Sequence, residues 1–199
     1  MRYQYSSSGF KQSLNGPAFS MPDGVKFLLI VNTIIFVLML VSGKQGFLFS
    51  YFGLVPIFVW EKYNFWQLFT YLFIHGDWLH ILLNMFMLWV CGKDLEIRWG
   101  KKDFFLFYMT CGVGAGIITV FFNIQSIIPI VGASGAIYGL LVAYGFTYPN
   151  RILLLYGLFP VKAKYLVLGF GGVAFMASIS ANQSNISHIT HLSGMIIGL

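Results

Sequence analysis

One serine in an apolar stretch of this chain has the type and the neighbours of a nucleophile. Ser134 lies in the run GASGAIYG, residues 132–139, among small residues. A serine hydroxyl attacks carbonyl carbons when a nearby base, most often a histidine, removes its proton. A reachable serine in such surroundings indicates hydrolysis within a membrane.

The four histidines of the chain form two groups that could supply that base. His75, His80 and Asn84 form the pattern H-x4-H-x3-N, and the last two share a helical face because they are four residues apart. His188 and His191 are three residues apart, and His191 opens the run HLSGMIIG. Both groups lie near the ends of apolar segments, so they can meet at one level.

The composition indicates that these groups lie in a membrane. Of the 199 residues, 58% are hydrophobic and 9% are charged. The mean hydropathy is +0.78, whereas a soluble domain carries about 25% charged residues. The net charge of +6 is better explained by basic cytoplasmic loops than by nucleic-acid binding, so no nucleic-acid partner is expected.

Six apolar segments have lengths near the roughly 20 residues that span a bilayer. Long, continuous apolar runs argue against a β-barrel, whose strands alternate apolar and polar residues. The sequence predicts an all-α polytopic membrane protein, with a six-transmembrane-helix bundle in residues 25–199 after a flexible cytoplasmic tail in residues 1–24. The segments cover residues 25–42, 78–95, 104–123, 132–148, 165–180 and 186–199.

Basic residues set the predicted orientation of these helices. Ten of the twelve Lys and Arg residues lie near the N-terminus or after the second and fourth segments. By the positive-inside rule these parts are cytoplasmic, so segments two, four and six begin at the outer face. Residues 43–67 are rich in aromatic side chains, which favours an interfacial position. We expect a multi-pass protein of a bacterial cytoplasmic membrane with a cytoplasmic N-terminus.

Depth and small residues predict that Ser134 meets His191. Residues 132–148 rise about 24 Å, less than the roughly 30 Å core, so Ser134 should lie several ångströms below the outer boundary. At the same rise per residue, His191 lies about 7–8 Å below the outer boundary, because it is about five residues into the sixth segment. Two glycine pairs with small-xxx-small spacing should let the fourth and sixth helices pack directly. The pairs are Gly135 with Gly139 and Gly194 with Gly198.

The predicted machinery is a Ser134/His191 dyad, because no acid is placed to orient the histidine. All six Asp and Glu residues lie at segment ends or in loops. Tyr138, one helical turn after Ser134, could hold the imidazole ring by packing. The Asn84 amide, the His80 ring N–H and the Ser134 backbone N–H are suited to stabilise an oxyanion.

Each of these residues also has another interpretation. Small residues are common at membrane-helix contacts, and Asn84 could hydrogen-bond another helix. His75 and His188, nearest the boundary, could be interfacial histidines with satisfied ring nitrogens. His80 and His191 could ligate haem or a metal, but the chain has no H-E-x-x-H zinc motif. We expect no metal and no cofactor.

Three separated motifs make the chain resemble the rhomboid family of intramembrane serine proteases. They are H-x4-H-x3-N from His75, GASGAIYG around Ser134 and THLSGMIIGL around His191. The resemblance covers residues 25–199 and implies Ser134 as nucleophile and His191 as general base. His191 is preferred over His188 because it matches the family pattern H-x-x-G-x-x-x-G. A non-catalytic relative that only binds membrane helices would be expected to lack Ser134 or His191.

The resemblance also implies roles around the dyad. His80, Asn84 and the Ser134 amide would form the oxyanion hole. Glu96, in a region similar to the family's E-x-x-x-G, would have a structural role. The implied supporting residues are His75 near the outer opening, Tyr138 packed on His191, and Gly132, Gly135 and Gly194.

The implied substrates are single-span membrane proteins in the lipid bilayer, cleaved near their outer end without metal or ATP. Two features depart from the family pattern. Gln67 follows Phe65 and Trp66 where members often show Trp-Arg, which leaves that loop's usual polar contact without an assigned residue. Leu199 leaves the sixth segment short, at about fourteen residues, as expected for a truncated chain.

Overall fold

A computed structural model describes residues 21–155, 159–179 and 185–199, and these are mostly helical. The predicted tail, residues 1–24, lies almost entirely outside this described part. The longer helices are α1 Asp23–Ser42, α5 Trp78–Trp99, α6 Lys101–Phe122, α7 Ser134–Thr147, α8 Ala163–Ile179 and α9 Asn185–Ile197. Between α1 and α5 lie α2 Gln45–Phe52, α3 Pro56–Glu61, α4 Gln67–Thr70 and a 3-10 turn, Tyr71–Phe73.

Two helices of the described part, α1 and α6, are long and apolar enough to cross a membrane by themselves. A third candidate joins Gln67–Phe73 to α5 through a bend of 95°. Helices α7 and α8 are apolar but shorter, with 14 and 17 residues. Each of the six predicted segments coincides with a helix apart from its end residues, and residue 180 lies outside the described part. The number of membrane spans stays a prediction.

A β-hairpin departs from the all-α prediction. Strand β1, Ile152–Leu155, pairs antiparallel with β2, Phe159–Lys162. The N–H of Ala163 donates to the carbonyl of Arg151 at 2.9 Å, so the hairpin leads directly into α8. Short apolar runs do not distinguish a strand from a helix or an apolar loop by periodicity, which is why the sequence did not predict it.

Helix α7 lies inside the bundle because its side chains are small or apolar around its whole circumference. Ten of its 14 residues are buried, as expected for a helix without a polar face. It packs against α5, α6, α8 and α9. The surrounding helices therefore hold its first residue, Ser134, in place.

Glycines set the distance between α7 and α9. A Cβ at Gly194 would overlap the carbonyl oxygen of Gly135, and one at Gly198 would lie 2.7 Å from Cα of Gly139. The two backbones touch at both places, as small-xxx-small spacing predicts. This contact brings the start of α7 alongside α9 at the level of residue 191.

Gln67 anchors the region between α1 and α5. Its buried side chain accepts a hydrogen bond at Oε1 from the N–H of Val55 at 3.0 Å. Its Nε2 donates to the carbonyls of Ser50 at 2.9 Å and Tyr51 at 3.3 Å. The amide thus supplies the polar contact that the sequence left unassigned, and it pairs three backbone groups of a partly buried loop.

The carboxylate of Glu96 joins α5 to α1. It is buried, and its oxygens accept hydrogen bonds from the N–H groups of Gly24 and Val25, each at 2.7 Å. Both donors belong to the first turn of α1, where N–H groups have no intrahelical acceptor and a negative charge is favoured. Glu96 therefore caps a helix whose second residue, Gly24, lies 72 residues earlier in the chain.

We expect Glu96→Gln to destabilise the fold, because the amide keeps one acceptor and turns an NH2 group toward the second N–H. The free energy of unfolding in mixed micelles should fall by about 2 kcal/mol, the contribution of a hydrogen bond to a charged group. Glu61→Gln makes the same change at an exposed position and should stay within about 0.5 kcal/mol of the unchanged protein. Equal values for the two variants would contradict the capping role.

Candidate active site

The side chains of Ser134 and His191 meet between α7 and α9. Nε2 of His191 lies 2.8 Å from Oγ of Ser134, a normal hydrogen-bond distance, although the residues are 57 positions apart. Both side chains are partly exposed. At this distance the ring nitrogen can take the hydroxyl proton as the oxygen attacks a carbonyl carbon.

Ser134 is the first residue of α7, two residues later than the predicted start of the fourth segment. Gly132 has a φ of +116°, which an α-helix does not accommodate, and Ala133 holds the N-cap position. The first N–H groups of a helix have no intrahelical acceptor. The N–H of Ser134 is therefore a donor close to its own hydroxyl group.

Gly132 brings the chain directly under His80. Its positive φ carries little steric cost for glycine. A Cβ there would lie 2.6 Å from Nε2 of His80 and 3.8 Å from Nδ2 of Asn84. The N–H of Gly132 donates to the carbonyl of Tyr71 at 2.9 Å, which holds the loop in this position. The His80 ring and the Asn84 amide thus lie over the residues that lead into Ser134.

The start of α5 orients His80 and Asn84. Asp77 caps the helix, and its Oδ1 accepts a hydrogen bond from the N–H of His80 at 2.8 Å. The N–H of Gly76 donates to Nδ1 of His80 over a long 3.4 Å, which favours the proton on Nε2. Nδ2 of Asn84 donates to the carbonyl of His80 at 2.9 Å, and its second hydrogen is available to another acceptor.

A ring stack orients the imidazole of His191. The ring of Tyr138 lies parallel to it, with centroids 4.3 Å apart and planes inclined by 6°. Phe170 of α8 packs edge-on against Tyr138, with centroids 6.1 Å apart. In the part of the chain that the structure describes, no carboxylate hydrogen-bonds to His191. The described contacts that orient His191 are therefore the ring stack and the Ser134 hydroxyl.

The other two histidines lie beside the site in different surroundings. His75 is 1% exposed, its ring lies edge-on to His80 with centroids 5.2 Å apart, and neither ring nitrogen has a hydrogen-bond partner among the described residues. His75 is therefore enclosed by the protein and not exposed at its surface. His188 is partly exposed, with its ring centroid 6.0 Å from that of His191.

A metal centre was one alternative for these histidines. Within residues 21–155, 159–179 and 185–199, no group of three or more His, Cys, Asp and Glu side chains is arranged to hold a metal ion. His75 and His80 are neighbours, but their rings meet edge to face.

Two buried polar contacts that support the site had no sequence signal. The hydroxyl of Tyr71 donates to the carbonyl of Gly112 at 2.7 Å. This bond helps to fix Tyr71, whose own backbone carbonyl accepts the hydrogen bond from the Gly132 N–H. Thr190 and Thr119 share a hydrogen bond of 2.9 Å between α9 and α6. The bonded residues are 41 positions apart in the first contact and 71 in the second. No local spacing pattern in the sequence could therefore predict either contact.

We expect Gly132→Ala to be more damaging than Gly43→Ala. Both positions have positive φ, which costs an alanine about 1–2 kcal/mol. Gly43 has no atom within 4 Å of an added Cβ, whereas Gly132 has the His80 ring. The free energy of unfolding should fall by about 1–3 kcal/mol more for Gly132→Ala, because the ring must move. Equal losses of unfolding free energy in the two variants would show that a Cβ at residue 132 does not clash with the His80 ring.

Comparison with known proteins gives the chain a family. The Rhomboid domain family model matches residues 62–199. Rhomboid protein 1, mitochondrial, of Saccharomyces cerevisiae is 27% identical over 183 residues, which are 86% of this chain and 50% of that protein. Rhomboid-like protein 11, chloroplastic, of Arabidopsis thaliana is 25% identical over 186 residues, 89% of this chain and 63% of that protein.

A bacterial relative is similar over nearly the whole chain. Rhomboid protease GlpG of Yersinia pestis is 26% identical over 196 residues, which are 98% of this chain and 66% of that protein. The chain thus spans half to about two thirds of the length of these relatives. Because the family model covers more than half of its residues, the chain belongs to the rhomboid family of membrane-embedded proteins.

Proposed function

We propose that this protein is an intramembrane serine endopeptidase, which hydrolyses peptide bonds in or near the transmembrane segments of membrane proteins. The observation that carries the proposal is the 2.8 Å contact between Oγ of Ser134 and Nε2 of His191. The similarity to a relative named as a rhomboid protease adds support. We assign Ser134 as the nucleophile and His191 as the general base.

The reaction has two stages. In the first, Oγ of Ser134 forms a bond to the scissile carbonyl carbon while Nε2 of His191 takes the hydroxyl proton. The C–N bond then breaks, and His191 gives that proton to the leaving amine. In the second stage a water molecule attacks the acyl-enzyme, His191 takes a proton from the water, and the proton returns to Ser134 as the acid product leaves.

Three hydrogen-bond donors are suited to stabilise the oxyanion that would form. They are Nε2–H of His80, the second Nδ2–H of Asn84 and the backbone N–H of Ser134. Gly132 lies beneath the first two, and its missing side chain leaves room for the substrate oxygen. We assign all three donors to the oxyanion hole. Removing one donor of this kind typically lowers kcat by about 10²–10³-fold.

We propose that α1, α5, α6, α7, α8 and α9 each cross the membrane, as one domain of residues 25–199 after a cytoplasmic tail. The charge distribution supports a cytoplasmic N-terminus. At 14 residues α7 is about 21 Å long, shorter than the roughly 30 Å core. Ser134 therefore lies below the outer surface, and water must enter through a cavity from that face.

A single-span membrane protein is the proposed substrate class. The peptide groups of an intact helix are hydrogen-bonded to one another, so a segment must unwind locally before Ser134 can attack it. The chemistry assigned here uses no metal and no ATP. The bacterial cytoplasmic membrane stays a prediction, since two relatives carry mitochondrial and chloroplastic names.

Cleavage of a tagged single-span reporter in reconstituted membranes tests the dyad. Ser134→Ala and His191→Ala should each abolish cleavage, because one removes the nucleophile and the other its base. Ser178→Ala removes a hydroxyl that donates to the carbonyl of Phe175 on α8 and should retain full activity.

A fluorophosphonate probe should label the unchanged protein at Ser134 and leave His191→Ala unlabelled. Undiminished cleavage by Ser134→Ala would overturn the proposal, and a folded protein that binds the reporter without cutting it would indicate a non-catalytic binder.

The ring stack on His191 predicts that the aromatic ring of residue 138 matters more for catalysis than its hydroxyl group. Tyr138→Phe keeps the parallel ring and should stay within about threefold of the original kcat, whereas Tyr138→Ala should lose at least about tenfold because the imidazole is no longer held. The measurement is kcat on the same reporter, with fluorophosphonate labelling rates as a second readout. A large loss in Tyr138→Phe would instead assign a role to the hydroxyl group.

A further inference from the structure

Helix α8 lies at the edge of the bundle and brings one aromatic side chain close to the dyad. Most of the large apolar side chains of α8 are exposed, among them Leu168, Val173, Phe175 and Met176. Phe170, in the middle of the helix, is partly buried and packs against Tyr138 of α7. Through Phe170, α8 therefore reaches the residues that surround Ser134.

The rings of Phe170, Tyr138 and His191 form one continuous row. The imidazole lies parallel to the Tyr138 ring with centroids 4.3 Å apart, and the Tyr138 ring meets the Phe170 ring at 87° with centroids 6.1 Å apart. An edge-to-face pair at this distance is a favourable arrangement of two aromatic rings. Since Nε2 of His191 lies 2.8 Å from Oγ of Ser134, the row connects α8 with the nucleophile on α7.

The ring of Tyr138 has no polar anchor within the part of the chain that the structure describes. The side chain is partly exposed, and its hydroxyl makes no hydrogen bond to another described residue. Contacts between rings therefore restrain it, with the imidazole of His191 and with Phe170. Removal of Phe170 would take away the restraint that comes from outside the dyad.

Gly171 lets α8 approach α9 next to Phe170. A Cβ at Gly171 would lie 3.0 Å from Cε of Met195, whereas Gly172 has no atom within 4 Å of an added Cβ. Met195 is four residues after His191, about one helical turn further along α9. The close approach of α8 to α9 at this level thus sets where the Phe170 ring meets Tyr138.

We propose that Phe170 is a positioning residue for the general base. Its ring keeps the Tyr138 ring parallel to the imidazole, and this keeps Nε2 of His191 directed at the Ser134 hydroxyl. Phe170 acts through Tyr138 and forms no bond in the reaction. The inference rests on the proposed protease function, in which His191 must hold one orientation to take the proton and to return it.

A direct contact with substrate is the other role open to Phe170. Its side chain lines a cavity of about 440 Å³ between α5, α8 and the β-hairpin, together with Trp89 and Val90. An apolar segment in that cavity would touch the same ring. Loss of a contact that only binds substrate raises KM, whereas loss of an interaction made in the transition state lowers kcat and kcat/KM equally. The two roles therefore differ in kinetics.

Steady-state cleavage of the single-span reporter in reconstituted membranes tests the positioning role. Phe170→Leu removes the ring but keeps an apolar side chain, so kcat should fall about three- to tenfold through loss of an aromatic pair. KM should stay within about twofold. Phe170→Tyr keeps the ring and should have a kcat within about twofold of the unchanged protein. An unchanged kcat in Phe170→Leu, or an equal loss in Phe170→Tyr, would overturn the proposal.

Phe175→Leu is the matched control on the same helix. Phe175 is 52% exposed, and its replacement should leave kcat unchanged because surface substitutions of this kind have small effects. A loss as large as that of Phe170→Leu would show that kcat responds to any ring removed from α8, which contradicts a specific role for Phe170.

A double-mutant cycle tests whether Phe170 acts through Tyr138. In a Tyr138→Ala background the connecting ring is absent, so adding Phe170→Leu should change kcat by less than about 1.5-fold. The rate of fluorophosphonate labelling at Ser134 gives the same comparison with a small probe that does not have to unwind. Losses that multiply in the double variant would show that Phe170 acts independently of Tyr138, and the proposal would be wrong.

A second replacement keeps the shape of the side chain, in case Phe170→Leu prevents folding. Pentafluorophenylalanine at residue 170 reverses the charge distribution of the ring and weakens an edge-to-face contact, so the labelling rate should fall at least about twofold. The same replacement at residue 175 should have no effect, and equal rates at both positions would contradict the role of Phe170. Failure of the protease function is distinct, because Ser134→Ala would then still cleave the reporter.

Discussion

The direct backbone contact between α7 and α9 is the constraint on which the site depends. Gly135 touches Gly194 and Gly139 touches Gly198, with no room for a Cβ at Gly194 or Gly198. In lipid, two apolar helices gain little by hiding from water, so close packing is what holds them together. That closeness places a side chain as short as serine within 2.8 Å of the His191 ring.

Buried hydrogen bonds between distant segments also hold the bundle together, because the bilayer core offers no water to polar groups. Glu96 accepts hydrogen bonds from two N–H groups in the first turn of α1, and Gln67 pairs three backbone groups before α5. Thr119 and Thr190 pair with each other. These contacts join distant segments, so the same groups that satisfy hydrogen bonding also fix the relative positions of the helices that carry the site.

Much of the architecture and the main pair of the site could be predicted from local patterns. Long apolar runs marked six helices, and the glycine spacing marked a close contact between two of them. The position of Tyr138 one turn after Ser134 pointed to a ring that could hold His191. Other features had no local signal. The strands of the hairpin are too short to show alternation, and the burial of His75 follows from a bend whose angle no residue type specifies.

The sequence by itself determined which residues are candidates for the chemistry, because the types and spacings of Ser134, His80, Asn84 and His191 are local properties of the chain. It also determined the family, since the match extends over residues 62–199. Only the tertiary structure decided how these residues are arranged, including the position of Gly132 under His80 and the burial of Gln67 and His75. Each of these depends on contacts between segments far apart in the chain, and such contacts are set by packing of the whole bundle.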